Sequence, residues 1–279
     1  MTTVGVLHPG STGARLGRAL AGQGVRVLWA SAGRSDATRR RAGEAGLTDA
    51  GTLAALRAES DFILTVCPPG AACEVARSVA GFGGLYIDAN AVAPATARHV
   101  AGLIESGGGR YADAAIVGAT RGRICLYASG EAAPEVAGLF AGTGVEVRVI
   151  PGHPMSASAL KICGAAWVKG ISSLLLDIRA LAVAEGVEAE LLREWEEYQP
   201  HLQEDSRKAA QRALERGWRW APEMEEIARS FRDFGLPGDF HDGARRVYSA
   251  AGRDDAARSE DASVDRVVAA LLGRAEHLE

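Results

Sequence analysis

The hydrophobic rhythm of the chain changes once, and the change divides it. Up to about residue 150, short apolar runs alternate with helix-length amphipathic stretches; beyond that point only helical spacing remains. The first run holds Val4, Val6 and Leu7 and leads into the turn His8-Pro9-Gly10-Ser11-Thr12-Gly13. A helix follows with Leu16 and Leu20 on one face. Strand-like runs recur at residues 24–29, 60–67, 84–88, 110–114, 123–128 and 144–150, with helical stretches at 51–57, 71–80 and 95–107. Strand and helix in alternation predict an α/β domain built on a doubly wound parallel sheet of the Rossmann type. Pro151-Gly152-His153-Pro154 breaks the pattern. The expected organisation is therefore a dinucleotide-type domain over 1–153 and an all-α domain over 154–279.

In the second half, Leu160, Cys163, Trp167, Ile171, Leu174, Ile178 and Leu181 recur at threes and fours with no proline between them. They predict one long helix from 155 to about 185, with an apolar stripe broad enough to be largely buried. Helices are also expected at 188–203, 206–215, 223–234, 239–251 and 263–278.

Bulk properties narrow the class. The 279 residues leave room for two modest domains, and 47% hydrophobic with 24% charged residues is ordinary globular composition. A net charge of −4 provides no basic footprint for nucleic acid. No run is read as long enough to span a membrane, and Met1-Thr2-Thr3 leads straight into a strand, so neither a membrane nor a leader is expected. The four cysteines form no CxxC pair and no ligand spacing with histidine. Reduced thiols, a cytoplasmic location and no metal are the corresponding expectations.

The candidate chemistry begins at the first turn. A strand, a glycine turn and a helix aim backbone N–H groups and a helix dipole at a phosphate. The glycine slots of the dinucleotide fingerprint fall on His8, Gly10 and Gly13, so the tight-turn glycine is replaced by histidine. The pyrophosphate is expected over Gly10–Gly13, and His8, Pro9, Gly10, Ser11, Thr12 and Gly13 are the expected cofactor-binding residues of this turn. After the second strand, where Asp or Glu would read a ribose 2′-hydroxyl, the chain has Ala30-Ser31-Ala32-Gly33-Arg34-Ser35. Ser31, Arg34 and Ser35 suit a 2′-phosphate, which favours NADP over NAD. The turns at Cys67-Pro68-Pro69 and at Asn90 should line the same crevice at the carboxyl ends of the strands; Asn90 reads equally well as a turn or cap residue.

Lys161 is the candidate proton donor and acceptor. It sits in the first turns of the long helix, beside Leu160, Ile162, Cys163 and Trp167, where partial desolvation would favour the neutral amine. Just past the domain boundary, it should face a cleft between the domains. Ala165 leaves room beside it, and Lys169 lies near the same side. Trp220, in Trp218-Arg219-Trp220, reads either as a wall for a small substrate or as a packing residue before a helix starting at Pro222-Glu223.

The segments VGVLHPGSTG, ILTVCPPG, YIDANAVAP, YADAAIVGA and ALKICGA, in this order and spacing, resemble the 3-hydroxyisobutyrate/6-phosphogluconate dehydrogenase superfamily of β-hydroxyacid dehydrogenases. The pattern is most similar to an offshoot of uncharacterised dehydrogenases related to imine reductases. The resemblance covers essentially the whole chain. It implies a Rossmann domain followed by a helical substrate and dimerisation domain, NAD(P)-dependent oxidoreduction of a small molecule, a homodimer, and Lys161 at the position of the family's catalytic lysine. It also places Val117 and Gly118 in the substrate segment. There the family's serine falls on Val117, its paired asparagines fall on Gly164 and Ala165, and the Ser-Thr of its proline turn falls on Asn90 and Ala91. Losing those groups removes hydrogen bonds that would hold a carboxylate. Two alternatives to hydroxy-acid or carbonyl chemistry stay open: NADPH-dependent imine reduction, and a non-catalytic NADPH-binding sensor.

Overall fold

The computed structural model describes residues 1–117, 124–252 and 260–275. They fall into two compact units, Met1–Ile162 and Cys163–Glu279. The first unit runs β1 (Thr3–Val6), α1 (Ser11–Ala21), β2 (Arg26–Trp29), α2 (Asp36–Glu44), β3 (Thr48–Asp49), α3 (Leu53–Glu59), β4 (Phe62–Thr65), α4 (Ala72–Ser78), β5 (Leu85–Asp88), α5 (Pro94–Glu105), β6 (Arg110–Ile116), β7 (Cys125–Ser129), α6 (Ala133–Leu139) and β8 (Glu146–Val149). The strands form one eight-stranded sheet in the order β3-β2-β1-β4-β5-β6-β7-β8. All neighbours are parallel except β6 and β7. The chain order reverses beside β1, between β2 and β4, which is the switch point where an open α/β sheet makes its ligand crevice.

Side chains alternate across this sheet, as a period of two requires. Val4, Val6, Val27, Leu64, Ile87 and Ala114 point to one face, where Leu16 and Leu20 of α1 and Val136 of α6 cover them. Leu28, Ile63, Tyr86 and Tyr111 point to the other, under Leu56 of α3, Val75 of α4 and Val100 of α5. Both faces are dry, so the strand runs are apolar almost throughout.

Beyond β8 come α7 (Ser156–Ala184), α8 (Glu188–Tyr198), α9 (His201–Arg232), α10 (Asp239–Ala251) and α11 (Glu260–Ala275). The division between units falls inside α7, past the break at Pro154. The first turn of α7 is bonded to the sheet, and this keeps it in the first unit.

Three expectations about the helical half are corrected. The stretches 206–215 and 223–234 are parts of one continuous helix, α9, with Pro222 inside it. Proline cannot donate to the carbonyl four residues back, so the residue usually marks a boundary. Here Ala209, Ala210, Ala213, Leu214, Met224, Ile227 and Ala228 are buried on both sides of it, and continuous packing outweighs the lost bond. The expected helix over 188–203 instead breaks at Gln199-Pro200. Finally, α7 is long and apolar enough to cross a membrane, with a mean hydropathy of 1.4 over an 18-residue window. The helix nevertheless carries Lys169 and Arg179, both buried and ion-paired to Glu223 and Glu188 of the second unit. Such pairs belong to a packed protein interior.

The predicted stripe of α7 also needs correction. Leu160, Trp167, Leu174 and Leu181, spaced by sevens, are exposed, Trp167 to 70% and Leu181 to 63%. Ile162, Leu175, Leu176 and Ala180 are buried instead. The helix is apolar on more than one face, and its own chain covers only part of it.

Candidate active site in the first unit

The carboxyl ends of β1, β4, β5 and β6 lie side by side along one sheet edge, since these strands are neighbours and parallel. The sequence-predicted residues of the first unit gather on the turns that leave this edge. His8-Pro9 leads to Gly10, which caps α1 in extended conformation. Gly10 N–H donates to His8 O at 2.7 Å, and Ala14 N–H donates to Gly10 O at 2.9 Å. The first-turn N–H groups of Ser11, Thr12 and Gly13 have no carbonyl inside the helix to bond.

This turn fits a dinucleotide pyrophosphate. A Cβ on Gly13 would stand 2.5 Å from the His8 carbonyl oxygen, so only glycine allows the tight return of the chain. A Cβ on Gly10 would meet nothing within 4 Å, and the space above the turn is open. His8 Nδ1 and Arg34 Nε are buried without a hydrogen-bond partner. Arg34 Nη2 donates to Leu7 O at 3.4 Å, and Arg41 Nη1 of α2 donates to Pro9 O at 3.2 Å. Two guanidinium groups therefore brace the turn from the β2–α2 side.

The groups after β2 have more than one task. Ser35 is the N-cap of α2, and its Oγ accepts the Thr38 N–H at 3.4 Å. Ser31 is buried and bonded to Asp49, whose Oδ1 accepts from Ser31 N–H at 3.2 Å and from Gly51 N–H at 2.7 Å. Asp49 escaped the sequence reading because it is brought in by β3, a two-residue strand pairing Trp29 with Asp49. An acid thus does stand beside the end of β2, although its own turn holds it there.

Further along the edge, Cys67 N–H donates to Asn90 Oδ1 at 2.6 Å, which ties the turn after β4 to the turn after β5. Pro68 and Pro69 stiffen that turn, and Pro69 opens a single 3-10 turn. Asn90 is buried, its N–H donates to Asp88 Oδ1 at 3.1 Å, and its Nδ2 has no partner. Tyr111 Oη donates to the other Asp88 oxygen at 3.1 Å. Burial pushes the Asp88 carboxyl up to about 7, against the pull of its hydrogen bonds, so it loses its proton around neutral pH rather than near pH 4. Burial likewise pushes the Cys67 thiol up to about 11. This cysteine is a poor nucleophile at neutral pH.

The last strand of the row places the candidate catalytic group. Lys161 Nζ donates to the carbonyl oxygen of Ile116, the final residue of β6, at 2.8 Å. The ammonium is half-buried and sits at the same carboxyl edge as the other turns. Val117 follows, half-buried, with its N–H on Cys125 O at 3.2 Å. Gly118 lies outside the described residues.

Asp113 holds Lys161 in register, and the sequence reading assigned it no role. One Asp113 carboxylate oxygen accepts from Ser158 N–H and from Ser129 Oγ, both at 2.9 Å; the other accepts from Ser158 Oγ at 2.5 Å. Ser129 Oγ in turn accepts from Ala157 N–H at 3.0 Å. A buried carboxylate from β6 thus caps the first turn of α7, one turn before Lys161. Burial raises its pKa, and the hydrogen bonds from Ser158 and Ser129 hold it back down. An aspartate inside an otherwise apolar strand run was the available sign, because an acid there must be hydrogen-bonded.

The remaining candidates belong to the second unit. Ala165 is half-buried, one turn beyond Lys161 on α7. Lys169 is buried, ion-paired to Glu223, and its Nζ stands 5.8 Å from the Trp220 ring centre. Trp220 meets Tyr248 edge-on at 5.2 Å, and Tyr248 Oη donates to Lys169 O at 2.6 Å. Lys169 and Trp220 are therefore parts of a packed interior joining α7, α9 and α10.

Several known proteins share features with this chain. Residues 182–251 match the family model for a domain of unknown function, DUF1932. An uncharacterised 28.5 kDa protein from the 7S RNA 5′ region of Methanothermus fervidus is 28% identical over 174 residues, 62% of this chain and 68% of that protein. A solved conserved protein of unknown function, described as structurally similar to 3-hydroxyacid dehydrogenases, superposes with a TM-score of 0.68 at 26% identity, covering 89% of this chain and 97% of its own. The 3-hydroxyisobutyrate dehydrogenase of Mycobacterium tuberculosis, solved with L-serine, gives 0.71 at 18% identity over 97% of this chain and 99% of its own. A reductive aminase from Aspergillus terreus, solved with NADPH and ethyl-5-oxohexanoate, gives 0.56 at 18% identity over 89% and 93%.

Proposed function

We propose, from the premise that this chain belongs with the 3-hydroxyisobutyrate dehydrogenase-like proteins in fold, that it is an NADP-dependent oxidoreductase acting on a small hydroxy or carbonyl compound. The observation that carries the reading is the Lys161 ammonium, held by Ile116 O at the same sheet edge as the glycine turn. Gly10, Ser11, Thr12 and Gly13 would hold the pyrophosphate, with His8 and Pro9 forming the cofactor-binding turn before them. Arg34 would take the 2′-phosphate, with Ser31 and Ser35 beside it. Cys67, Pro68, Pro69 and Asn90 would shape the crevice wall. The nicotinamide, when bound, supplies or accepts the hydride. Lys161 gives its proton to the oxygen of a carbonyl as that oxygen gains negative charge, and takes the alcohol proton in the reverse direction. The Ile116 carbonyl orients the ammonium so that transfer needs no search over rotamers.

NADP is preferred to NAD because Arg34 presents an unpartnered buried nitrogen at the turn, whereas the Asp49 carboxylate is already bonded to Ser31 and Gly51. Val117, with no side-chain donor where the family has serine, makes a strongly held carboxylate less fitting. That absence favours imine reduction as the second reading, in keeping with the fold shared by the reductive aminase. A panel of 3-hydroxy acids, aldehydes and cyclic imines, followed by NADPH absorbance, separates the two. Turnover of one class and not the other decides between them; binding without any turnover across the panel would leave a sensor.

The exposed stripe Leu160, Trp167, Leu174 and Leu181 supports a homodimer through α7. Residues seven apart drift by only about 20° on a straight helix, so the four form one seam. A two-fold axis across such a seam would set it against its own copy. Trp167→Glu is expected to convert the dimer to monomer in light scattering at micromolar concentration. A wild-type protein that is already monomeric there would remove the idea.

A further inference from the structure

His8 departs from the dinucleotide fingerprint, and its surroundings suggest what the imidazole is for. Its Nδ1 is buried and unpartnered, and so is Nε of Arg34, whose guanidinium lies against the same turn through Leu7 O. A polar atom buried without a partner costs roughly 1–3 kcal/mol. Two of them at one turn are accounted for if a ligand supplies the missing partners.

The charges around this turn are known from its contacts. Arg34 comes from the turn after β2, and Arg41 from α2 donates to Pro9 O. Asp49 on β3 is committed to Ser31 and Gly51. On the β4 side, Leu7 N–H bonds to Leu64 O, and the nearby Cys67 N–H is taken by Asn90. The contacts to the turn are thus cationic or neutral. Burial, and after it the Arg34 charge, lowers His8 from 6.5 to about 4, so the ring is neutral at pH 7 without ligand. A dianion placed between the ring and the guanidinium would reverse the second effect and accept a hydrogen bond from each.

We propose that His8 and Arg34 together recognise the 2′-phosphate of an NADP-type dinucleotide, and that His8 takes up a proton from solvent when that phosphate arrives. The proposal rests on the NADP reading above and adds a residue and a proton to it. No covalent bond changes; the proton moves from buffer to a ring nitrogen, which then donates to a phosphate oxygen. The sign follows. The complex holds more protons than its separated parts, so NADPH affinity rises as pH falls from 8 towards 6.5, by up to about tenfold per unit at full uptake. If the site only selected the phosphate dianion, whose second pKa is about 6, protons would be released instead.

Titration calorimetry of the full chain with NADPH at pH 7, in PIPES and in Tris, measures this directly. The expected result is a buffer-dependent heat equal to uptake approaching one proton per NADPH. NADH, which lacks the phosphate, should show no buffer dependence. His8→Gln should abolish the uptake and weaken NADPH by roughly tenfold, the scale of one charged hydrogen bond. The proposal is overturned if NADPH binds with no uptake, with release, or with uptake unchanged in His8→Gln. NADH binding with no NADPH binding also overturns it, leaving an NAD enzyme. Failure of both nucleotides to bind sinks the oxidoreductase reading as well.

Discussion

Lys161→Ala is expected to lower turnover of the substrate identified in the panel by about 10²–10⁴-fold, the usual range for a lost general acid or base. NADPH affinity should stay within a factor of two or three, because the residues proposed to hold the dinucleotide are on other turns. Stability should change far less than turnover, since the Lys161 side chain is only half-buried. Lys161→Arg sharpens the test. Arginine keeps the positive charge and donors but does not release a proton at any workable pH. It should therefore be nearly as slow as alanine if the lysine transfers a proton. Wild-type turnover in the arginine variant would mean that the charge alone stabilises the transition state.

The second large effect is on folding. Asp113→Ala leaves Ser158 N–H and Ser158 Oγ without their buried acceptor, while Ser129 Oγ keeps the Pro154 carbonyl at 2.8 Å. Each buried donor left unsatisfied costs roughly 1–3 kcal/mol. At roughly 2–4 °C per kcal/mol for a chain of this size, the melting midpoint should drop by about 10 °C. The loss should extend to catalysis, because the same carboxylate fixes the turn of α7 that precedes Lys161. Asp113→Asn keeps one acceptor and should fall between wild type and alanine in both stability and kcat. If Asp113→Ala melts with the wild type, the aspartate is not the anchor of α7.

Both predictions concern residues in segments that could be picked out from the sequence, but only one of them was assigned a role there. Lys161 was legible because a lysine among Leu160, Ile162 and Cys163 at the start of a long helix is unusual. Asp113 stood in the same kind of segment, YADAAIVGA, yet its task depends on Ser129 and Ser158, which lie 16 and 45 residues away. Asp49 was missed for a related reason. A two-residue exposed strand has no hydrophobic pattern, and only its pairing with β2 brings it to Ser31. The false break inside α9 has a local cause, Pro222 read as a helix start and overridden by packing on both sides, whereas Gln199-Pro200 is a real break that the helical pattern runs through.

What the sequence alone determined is the alternation of strand and helix, the glycine turn after β1, the carboxyl-edge placement of the turns, and the long helix with Lys161 near its start. Each follows from a local rule: side-chain periodicity, the conformational freedom of glycine, or the direction of a parallel strand. Tertiary structure decided which face of α7 stays uncovered, that Lys169 and Trp220 are packed together in the helical unit, and that a buried carboxylate caps α7. It also decided that His8 and Arg34 meet at one turn. These outcomes depend on distant segments sharing a surface, and pairwise proximity across the fold is not encoded in any short window of residues.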